Sequence, residues 1–218
     1  MTFQELSQNH AIRTYIQRAD ESLVALGYTE HSFSHVTYVA MMAGNILKTL
    51  GYDDHTVEIA KIAGYLHDIG NLVNRVEHSQ SGAVMAFSIL HDLDFPVEDI
   101  ATIVTAIGNH DEGTGVPVNA VAAALILADK ADVRRSRVRN QDVSTFDIHD
   151  RVNYSVTEAK LAIEEDHKSV TLALTVDQSV SSVMDYFEIF LHRMIFCRKA
   201  AHKLGMQFKL TINDQSLI

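Results

Sequence analysis

The chain has 218 residues, 47% of them hydrophobic, which is enough for a sizeable buried core and too apolar for a disordered protein. Its formal net charge of -10, from 28 acidic and 18 basic residues, disfavours a protein that holds nucleic-acid polymers through dense Lys and Arg contacts. A single cysteine, Cys197, excludes an intrachain disulfide, and no secretory leader or membrane-spanning apolar stretch is visible, so we expect a cytoplasmic protein without membrane contact.

Apolar residues recur at helical spacing through the first 136 residues, which predicts a succession of amphipathic helices. Glycine is favoured just past a helix end, and Gly27 and Gly51 mark two such ends. Pro96 and Pro117 fall where helices begin, in the first turn that tolerates proline. The predicted helices are 7–26, 31–50, 55–69, 79–93, 97–110 and 117–135.

The pattern changes after about residue 140, where Val, Thr and alternating apolar residues predict strands at 152–163 and 168–176. A long helix follows at 179–204, and 207–213 alternates again as a third strand. Because two strands alone are marginally stable, we expect a small antiparallel sheet packed against the long helix. The chain is therefore predicted to be mainly α, with a helical bundle at 1–140 and an α+β extension at 141–218 that is not an independent domain.

Several histidines and aspartates interrupt the apolar stretches of these predicted helices. His67 and Asp68 interrupt the apolar run IAKIAGYLHDIGN, and Asp129 interrupts AAALILADKAD. A carboxylate buried without a partner costs several kcal/mol, and a divalent cation bound by mixed His and carboxylate ligands removes that cost. Asp68 and Asp129 with two histidines can supply one cation, while the second oxygen of Asp68 is free to bridge to another. The predicted ligands are His35, His67, Asp68, His78, His110 and Asp129.

The order of these residues is similar to a known signature. His35, then His67-Asp68 in LHDIG, then Asp129 in LADK resemble the H…HD…D set of the HD superfamily of metal-dependent phosphohydrolases. His78 and His110 resemble the additional ligands of its two-metal branch, which includes the symmetrical dinucleoside tetraphosphate hydrolases and the HD-GYP phosphodiesterases. The GYP element is missing here, which disfavours a cyclic-di-nucleotide substrate.

The resemblance covers about residues 28–136 and implies an HD-domain-like helical bundle. It also implies hydrolysis of a phosphoester or phosphoanhydride bond in a nucleotide or small phosphorylated metabolite by a metal-bound hydroxide. Asp68 and His67 would be the catalytic residues, with Asp68 as the bridge between two ions. Mixed nitrogen and oxygen ligands favour Fe, Mn, Co or Zn over Mg, with one or two ions bound.

The dipeptide alone is a weak signal, because HD also occurs at 91–92, 110–111 and 149–150. We set aside the pair at 91–92 because it closes a helix before Pro96, and the pair at 149–150 because it lies in a polar connector. His31 lies one helical turn before His35, so it could replace His35 as a ligand or line the pocket.

Four polar residues near the ligands are candidates for substrate phosphate contacts: Asn71, Arg75, Lys130 and Arg134. The alternative for the basic ones is a solvated face that includes RRSRVR at 134–139. We expect a small phosphorylated substrate and no nucleic-acid polymer as partner. The extension is expected to shape the substrate pocket or to form the contact of a homodimer.

Two other functions are compatible with this sequence. Helical HD-like domains can lose hydrolysis and act as regulatory or ligand-binding modules, and some use a diiron site as an oxygenase. The complete ligand set favours hydrolysis over the regulatory module. Oxygen consumption by the iron-loaded protein would distinguish the oxygenase.

Overall fold

Helices occupy most of the first 155 residues in the computed structural model, which describes residues 1–217. They are α1 (Phe3–Leu6), α2 (His10–Ala25), α3 (Phe33–Thr49), α4 (Asp54–Leu66), α5 (His78–Asp92), α6 (Val97–Gly108), α7 (Ala120–Lys130) and α8 (Ile148–Ser155). Short 3-10 turns join them at Ile69–Leu72, Arg135–Arg137 and Val143–Thr145. The predicted mainly α architecture is confirmed.

The helix α7 lies at the centre of the molecule. Every residue from Val121 to Ala128 is buried, because α7 packs against α3, α4, α6 and α9 (Val183–Lys203) at once. A helix that is apolar on all sides is typical of such a fully enclosed position. Its polar end, Asp129 and Lys130, therefore projects from the middle of the core into the site described below.

The segment after α4 bends sharply and directs two consecutive side chains to one site. The helix ends at Leu66, earlier than the predicted 69, and His67 still has helical dihedral angles while Asp68 does not (φ -95, ψ 4). A 3-10 turn follows directly. Two glycines permit this geometry, because a Cβ on Gly64 would meet the backbone of Ala40 in α3, and one on Gly70 would overlap the backbone of His78 and Gly82 in α5.

The C-terminal extension combines α8 and α9 with a four-stranded sheet. The strands are β1 (Val156–Ile163), β2 (Ser169–Val176), β3 (Gln207–Ile212) and β4 (Gln215–Ser216), in the order β1-β2-β3-β4. β1 begins four residues later than the predicted strand at 152–163, because residues 152–155 belong to α8. α9 packs on α7, so the extension and the helical bundle share one apolar core.

The sheet is mixed, which corrects the predicted antiparallel arrangement. β1 pairs antiparallel with β2 and β3 antiparallel with β4, but β2 and β3 are parallel. The reason is the connection: α9 lies between β2 and β3 and returns the chain to the same end of the sheet, as a helical crossover does. Within residues 1–217, no helix is both long enough and apolar enough to cross a membrane.

Candidate metal centre

Five helices and turns bring the six predicted ligands to one place. They are His35 in α3, His67 and Asp68 after α4, His78 at the start of α5, His110 after α6 and Asp129 in α7. We call these six residues the ligand cluster. Their side chains are almost entirely buried; the most exposed, that of Asp129, is 12% accessible.

One half of the ligand cluster groups two histidines with two carboxylates. Asp68 Oδ2 lies 3.5 Å from His35 Nε2 and 3.2 Å from His67 Nε2. Asp129 Oδ1 lies 3.4 Å and 3.7 Å from the same two nitrogens. Four tetrahedral ligands at metal bond lengths of roughly 2.0–2.2 Å would be roughly 3.3–3.6 Å apart. The spacing therefore fits one divalent cation.

The other half uses the second oxygen of the same aspartate. Asp68 Oδ1 lies 3.5 Å from His78 Nε2 and 3.9 Å from His110 Nε2. The two histidine nitrogens are 3.1 Å apart. Each Asp68 oxygen thus faces a different pair of histidines, which is the arrangement that a carboxylate bridging two ions requires.

The histidine tautomers test whether the cluster fits a cation. In three of the four rings Nδ1 lies 2.7–3.1 Å from a backbone carbonyl: Gly64 for His67, Arg75 for His78 and Ile107 for His110. Because these oxygens only accept, each Nδ1 carries the proton and each Nε2 presents a lone pair to the centre of the cluster.

These inward lone pairs need a positive partner. Within residues 1–217, the buried Nε2 atoms of His35 and His67 have no hydrogen-bond partner. The facing Nε2 atoms of His78 and His110 would otherwise direct two lone pairs at each other. Imidazole and carboxylate ligands together suit first-row divalent ions, so the residues fit one or two such cations.

The pKa values favour the charge states that bind metal. Although burial raises the pKa of Asp68, neighbouring His67 and His35 hold it well below its usual range. Burial raises the pKa of Asp129 as well, but Lys130 and His35 bring it well below normal. Burial, with the nearby positive groups, lowers the pKa of His110 far below that of free histidine, so it stays neutral.

His35 behaves differently because it is surrounded by carboxylates. Burial and Arg137 lower its pKa, but the surrounding carboxylates of Asp129, Asp132 and Asp68 outweigh them and raise the pKa to about 9. In the metal-free protein, a proton therefore occupies His35 at neutral pH. A cation has to displace that proton, so metal affinity depends on pH.

Asp132, which sequence reasoning missed, orients His35. Its Oδ2 lies 2.7 Å from His35 Nδ1, and its side chain is 1% exposed. A carboxylate on the far nitrogen of a metal-binding histidine fixes the tautomer and makes the ligand more basic. The available signal was the second aspartate of LADKAD, three residues after Asp129.

Arg134 holds Asp132 rather than facing the cavity. Its Nε and Nη2 donate to the two oxygens of Asp132 at 2.5 Å and 3.0 Å, and its guanidinium lies over the Tyr38 ring. Arg134 is not among the residues that line the cavity, and its contact with substrate phosphate stays a prediction. Its Nε and Nη2 instead donate to Asp132, a carboxylate two residues earlier in the sequence.

The other three predicted contact residues have different positions. Asn71 is buried and donates to Asp68 Oδ1 at 3.0 Å, so it positions this carboxylate instead of lining the cavity. Lys130 lines the cavity, but its Nζ lies 2.7 Å from Asp129 and 2.6 Å from Glu112. Arg75 also lines the cavity, with its Nη1 3.9 Å from Asp68 Oδ1.

A cavity of about 390 Å³ opens from the ligand cluster. Its inner end is formed by Asp68, His78, His110 and Asp129, and its outer wall comes from the extension: Asp147, His149, Asp150 and Asn153 around α8, and Phe190 and Arg193 in α9. The dipeptide at 149–150, set aside as a polar connector, thus lies on this wall. These contacts join residues far apart in the chain, and no sequence spacing signals them.

His31 lines the cavity beside the ligand cluster. Its ring centroid is 5.4 Å from that of His35, and its Nδ1 lies 2.7 Å from the carbonyl oxygen of Thr29. The side chain that meets Asp68 and Asp129 is that of His35. The geometry therefore places His31 in the pocket-lining role rather than in the ligand cluster.

Two known proteins are similar to this chain in sequence. The chain is 26% identical over 196 residues to the uncharacterized protein MJ1020 of Methanocaldococcus jannaschii, covering 79% of this chain and 74% of that protein. It is 25% identical over 119 residues to ribonuclease Y of Bacillus subtilis, covering 55% of this chain but only 21% of that enzyme.

A solved structure of a predicted HD superfamily hydrolase from an uncultured Thermotogales bacterium is 25% identical and covers 62% of this chain and 75% of that one, with a TM-score of 0.45. The HD domain family model matches residues 32–188, which is more than half of the chain and includes the whole ligand cluster. The chain belongs to the HD domain family.

Proposed function

We propose that this protein hydrolyses a phosphoester or phosphoanhydride bond of a nucleotide or small phosphorylated metabolite, with two divalent transition-metal ions held by the ligand cluster. Membership of the HD domain family supports a metal-dependent phosphohydrolase in general. The observation that carries the proposal is the division of Asp68, whose Oδ2 faces His35 and His67 while its Oδ1 faces His78 and His110.

Two bound ions would lower the pKa of water and polarise a phosphoryl oxygen. The chain's own residues prepare the place where that chemistry occurs. Asn71 donates to Asp68 and fixes the orientation of the bridging carboxylate. Arg75 adds positive charge at the wall beside Asp68, where a phosphoryl group would lie.

The size and closure of the cavity favour a small substrate. Its volume of about 390 Å³ falls in the range of roughly 300–1,000 Å³ typical of small-molecule sites. The outer wall from α8 and α9 narrows the approach, whereas proteins that bind single strands track the backbone along a positive groove. The net charge of -10 also opposes a polyanion. Cleavage of RNA, suggested by the likeness to ribonuclease Y, is the rival.

A substrate screen tests the proposal. Protein stripped with a chelator is reloaded with Mn²⁺, Fe²⁺, Co²⁺, Zn²⁺ or Mg²⁺ and offered nucleoside mono-, di- and triphosphates, sugar phosphates, diadenosine tetraphosphate and single-stranded RNA. We expect hydrolysis of a small phosphorylated compound, and Asp68→Ala should abolish this hydrolysis. The matched control is Asp92→Ala, which alters an exposed HD dipeptide outside the cavity and should leave activity unchanged.

The outcomes separate the competing functions. Activity that persists in Asp68→Ala contradicts the proposal. Cleavage of RNA with no small-molecule activity would instead support a ribonuclease. Oxygen uptake by the Fe²⁺-loaded protein without phosphate release would support an oxygenase, and metal binding without any turnover would support a regulatory module.

A further inference from the structure

Most positive side chains around the cavity already have partners. Lys130 is paired with both Asp129 and Glu112. Arg137 donates to the backbone carbonyls of Glu30 and Asp132 at 2.9 Å and 2.7 Å. Donors used in this way hold the fold together and leave little capacity for a ligand.

Arg193, in α9 of the extension, differs from them. It lines the cavity, and its Nε is buried without a hydrogen-bond partner among residues 1–217. The nearest acidic atom, Glu112 Oε1, is 3.5 Å from that nitrogen, which is an ion pair but not a hydrogen bond. A guanidinium has five N–H donors in a planar fork, so the partly buried Arg193 with its unpartnered Nε has capacity for an anion.

The Arg193 guanidinium is held in position by packing. Its Cζ lies 4.5 Å from the centre of the Phe190 ring, one turn earlier on α9. Phe190 is buried and packs edge-on against Tyr186. This cation–π contact restrains the direction of the guanidinium without using any of its N–H groups.

Arg193 also lies on the side of the cavity where Asp129 of the ligand cluster is found. Glu112 Oε2 is 2.6 Å from Lys130 Nζ, and Lys130 Nζ is 2.7 Å from Asp129 Oδ2. One wall of the cavity therefore carries a continuous row of charged side chains: Asp129, Lys130, Glu112 and Arg193. Arg75 stands beside Asp68 in the same cavity. A tetrahedral oxyanion next to the ligand cluster would meet positive charge from two directions.

We propose that Arg193 is a phosphoryl-binding residue, and that the C-terminal extension thereby completes the active site by donating a guanidinium to the substrate's phosphoryl oxygens. The ligand class is a tetrahedral oxyanion, which a guanidinium binds through two parallel N–H groups. The identification of that oxyanion as substrate phosphate rests on the proposed function.

Binding of inorganic phosphate to the Mn²⁺-loaded full chain tests this, measured by isothermal titration calorimetry. Arg193→Met keeps the aliphatic volume against Phe190 and removes the charge, and Arg193→Gln is the second variant. Both should weaken phosphate binding tenfold or more, with unchanged metal content. Arg198→Met, exposed on the same helix, is the matched control and should stay within twofold of the wild type.

The design keeps two failures apart. Wild-type protein that binds phosphate through Arg193 but hydrolyses no substrate contradicts the proposed function and leaves the oxyanion site standing. Phosphate affinity within twofold of wild type in either folded variant overturns the site. Failure of both variants to fold, or wild-type protein that binds no phosphate, overturns it as well.

Discussion

Replacing Asp132 by Asn should weaken metal binding without touching a ligand. Asp132 accepts hydrogen bonds from His35 Nδ1 at 2.7 Å and from Nε and Nη2 of Arg134, so its surroundings are suited to a charged carboxylate. A hydrogen bond to a charged group contributes roughly 1.5–3 kcal/mol and a neutral one roughly 0.5–1.5 kcal/mol, a difference of about 1–1.5 kcal/mol. That difference corresponds to about tenfold in metal affinity, the lower end of the roughly 10–100-fold effects known for such partners.

The pH dependence makes this prediction specific. Asp132 also helps to raise the pKa of His35 to about 9, so in the wild type a proton competes with the metal at pH 7. Because His35 must lose that proton, wild-type metal affinity should rise with pH and level off above about 9. In Asp132→Asn the proton is held less tightly, so part of the loss is masked at pH 7 and the full loss emerges near pH 9.

Competition with a coloured chelator measures Mn²⁺ affinity at both pH values, with the exposed Asp92→Asn as the matched control. We expect the Asp132→Asn deficit to be larger at pH 9 than at pH 7. Affinity within twofold of wild type at both values would refute the reasoning. An equal loss at both values would show that Asp132 does not influence the protonation of His35.

Three further changes probe the surroundings of the site. Asn71→Ala removes the donor to Asp68 Oδ1 and should lower kcat about tenfold with little change in KM; a change in KM alone would contradict a positioning role. Gly70→Ala places a Cβ against the backbone of His78 and should destabilise the fold by about 2 kcal/mol or more in urea titrations and lower metal content, whereas wild-type stability would show that α5 can shift. Burial raises the pKa of the Cys197 thiol to about 12, so Ellman's reagent at pH 8 should react only after unfolding, and rapid labelling of the folded protein would be contrary evidence.

The sequence predicts the inner half of the site because the cost of burying charge is visible along the chain. Asp68 and Asp129 interrupt apolar runs, and only a positive partner explains carboxylates in such places. The helices themselves follow from apolar spacing, which depends on neighbours three and four positions apart. Both signals are local, and the six residues that they single out lie together in the structure.

The outer half depends on contacts that local patterns do not encode. Arg193 reaches the cavity only because α9 packs on α7, and the wall from α8 forms only once the extension is docked. Charge alone does not reveal that Arg134 lies within hydrogen-bond reach of Asp132. The parallel pairing of β2 with β3 depends on chain direction, to which alternating hydrophobicity is insensitive.

The metal content of the reconstituted chain tests whether the ligand cluster holds two ions. Protein stripped of metal, reloaded with Mn²⁺ and desalted would be analysed by inductively coupled plasma mass spectrometry against a quantified protein concentration. We expect about two ions per chain in the wild type and about one in a His78→Ala, His110→Ala double variant, which keeps His35, His67, Asp68 and Asp129. Wild-type protein that retains no metal, or a double variant that still holds two ions, would contradict this expectation.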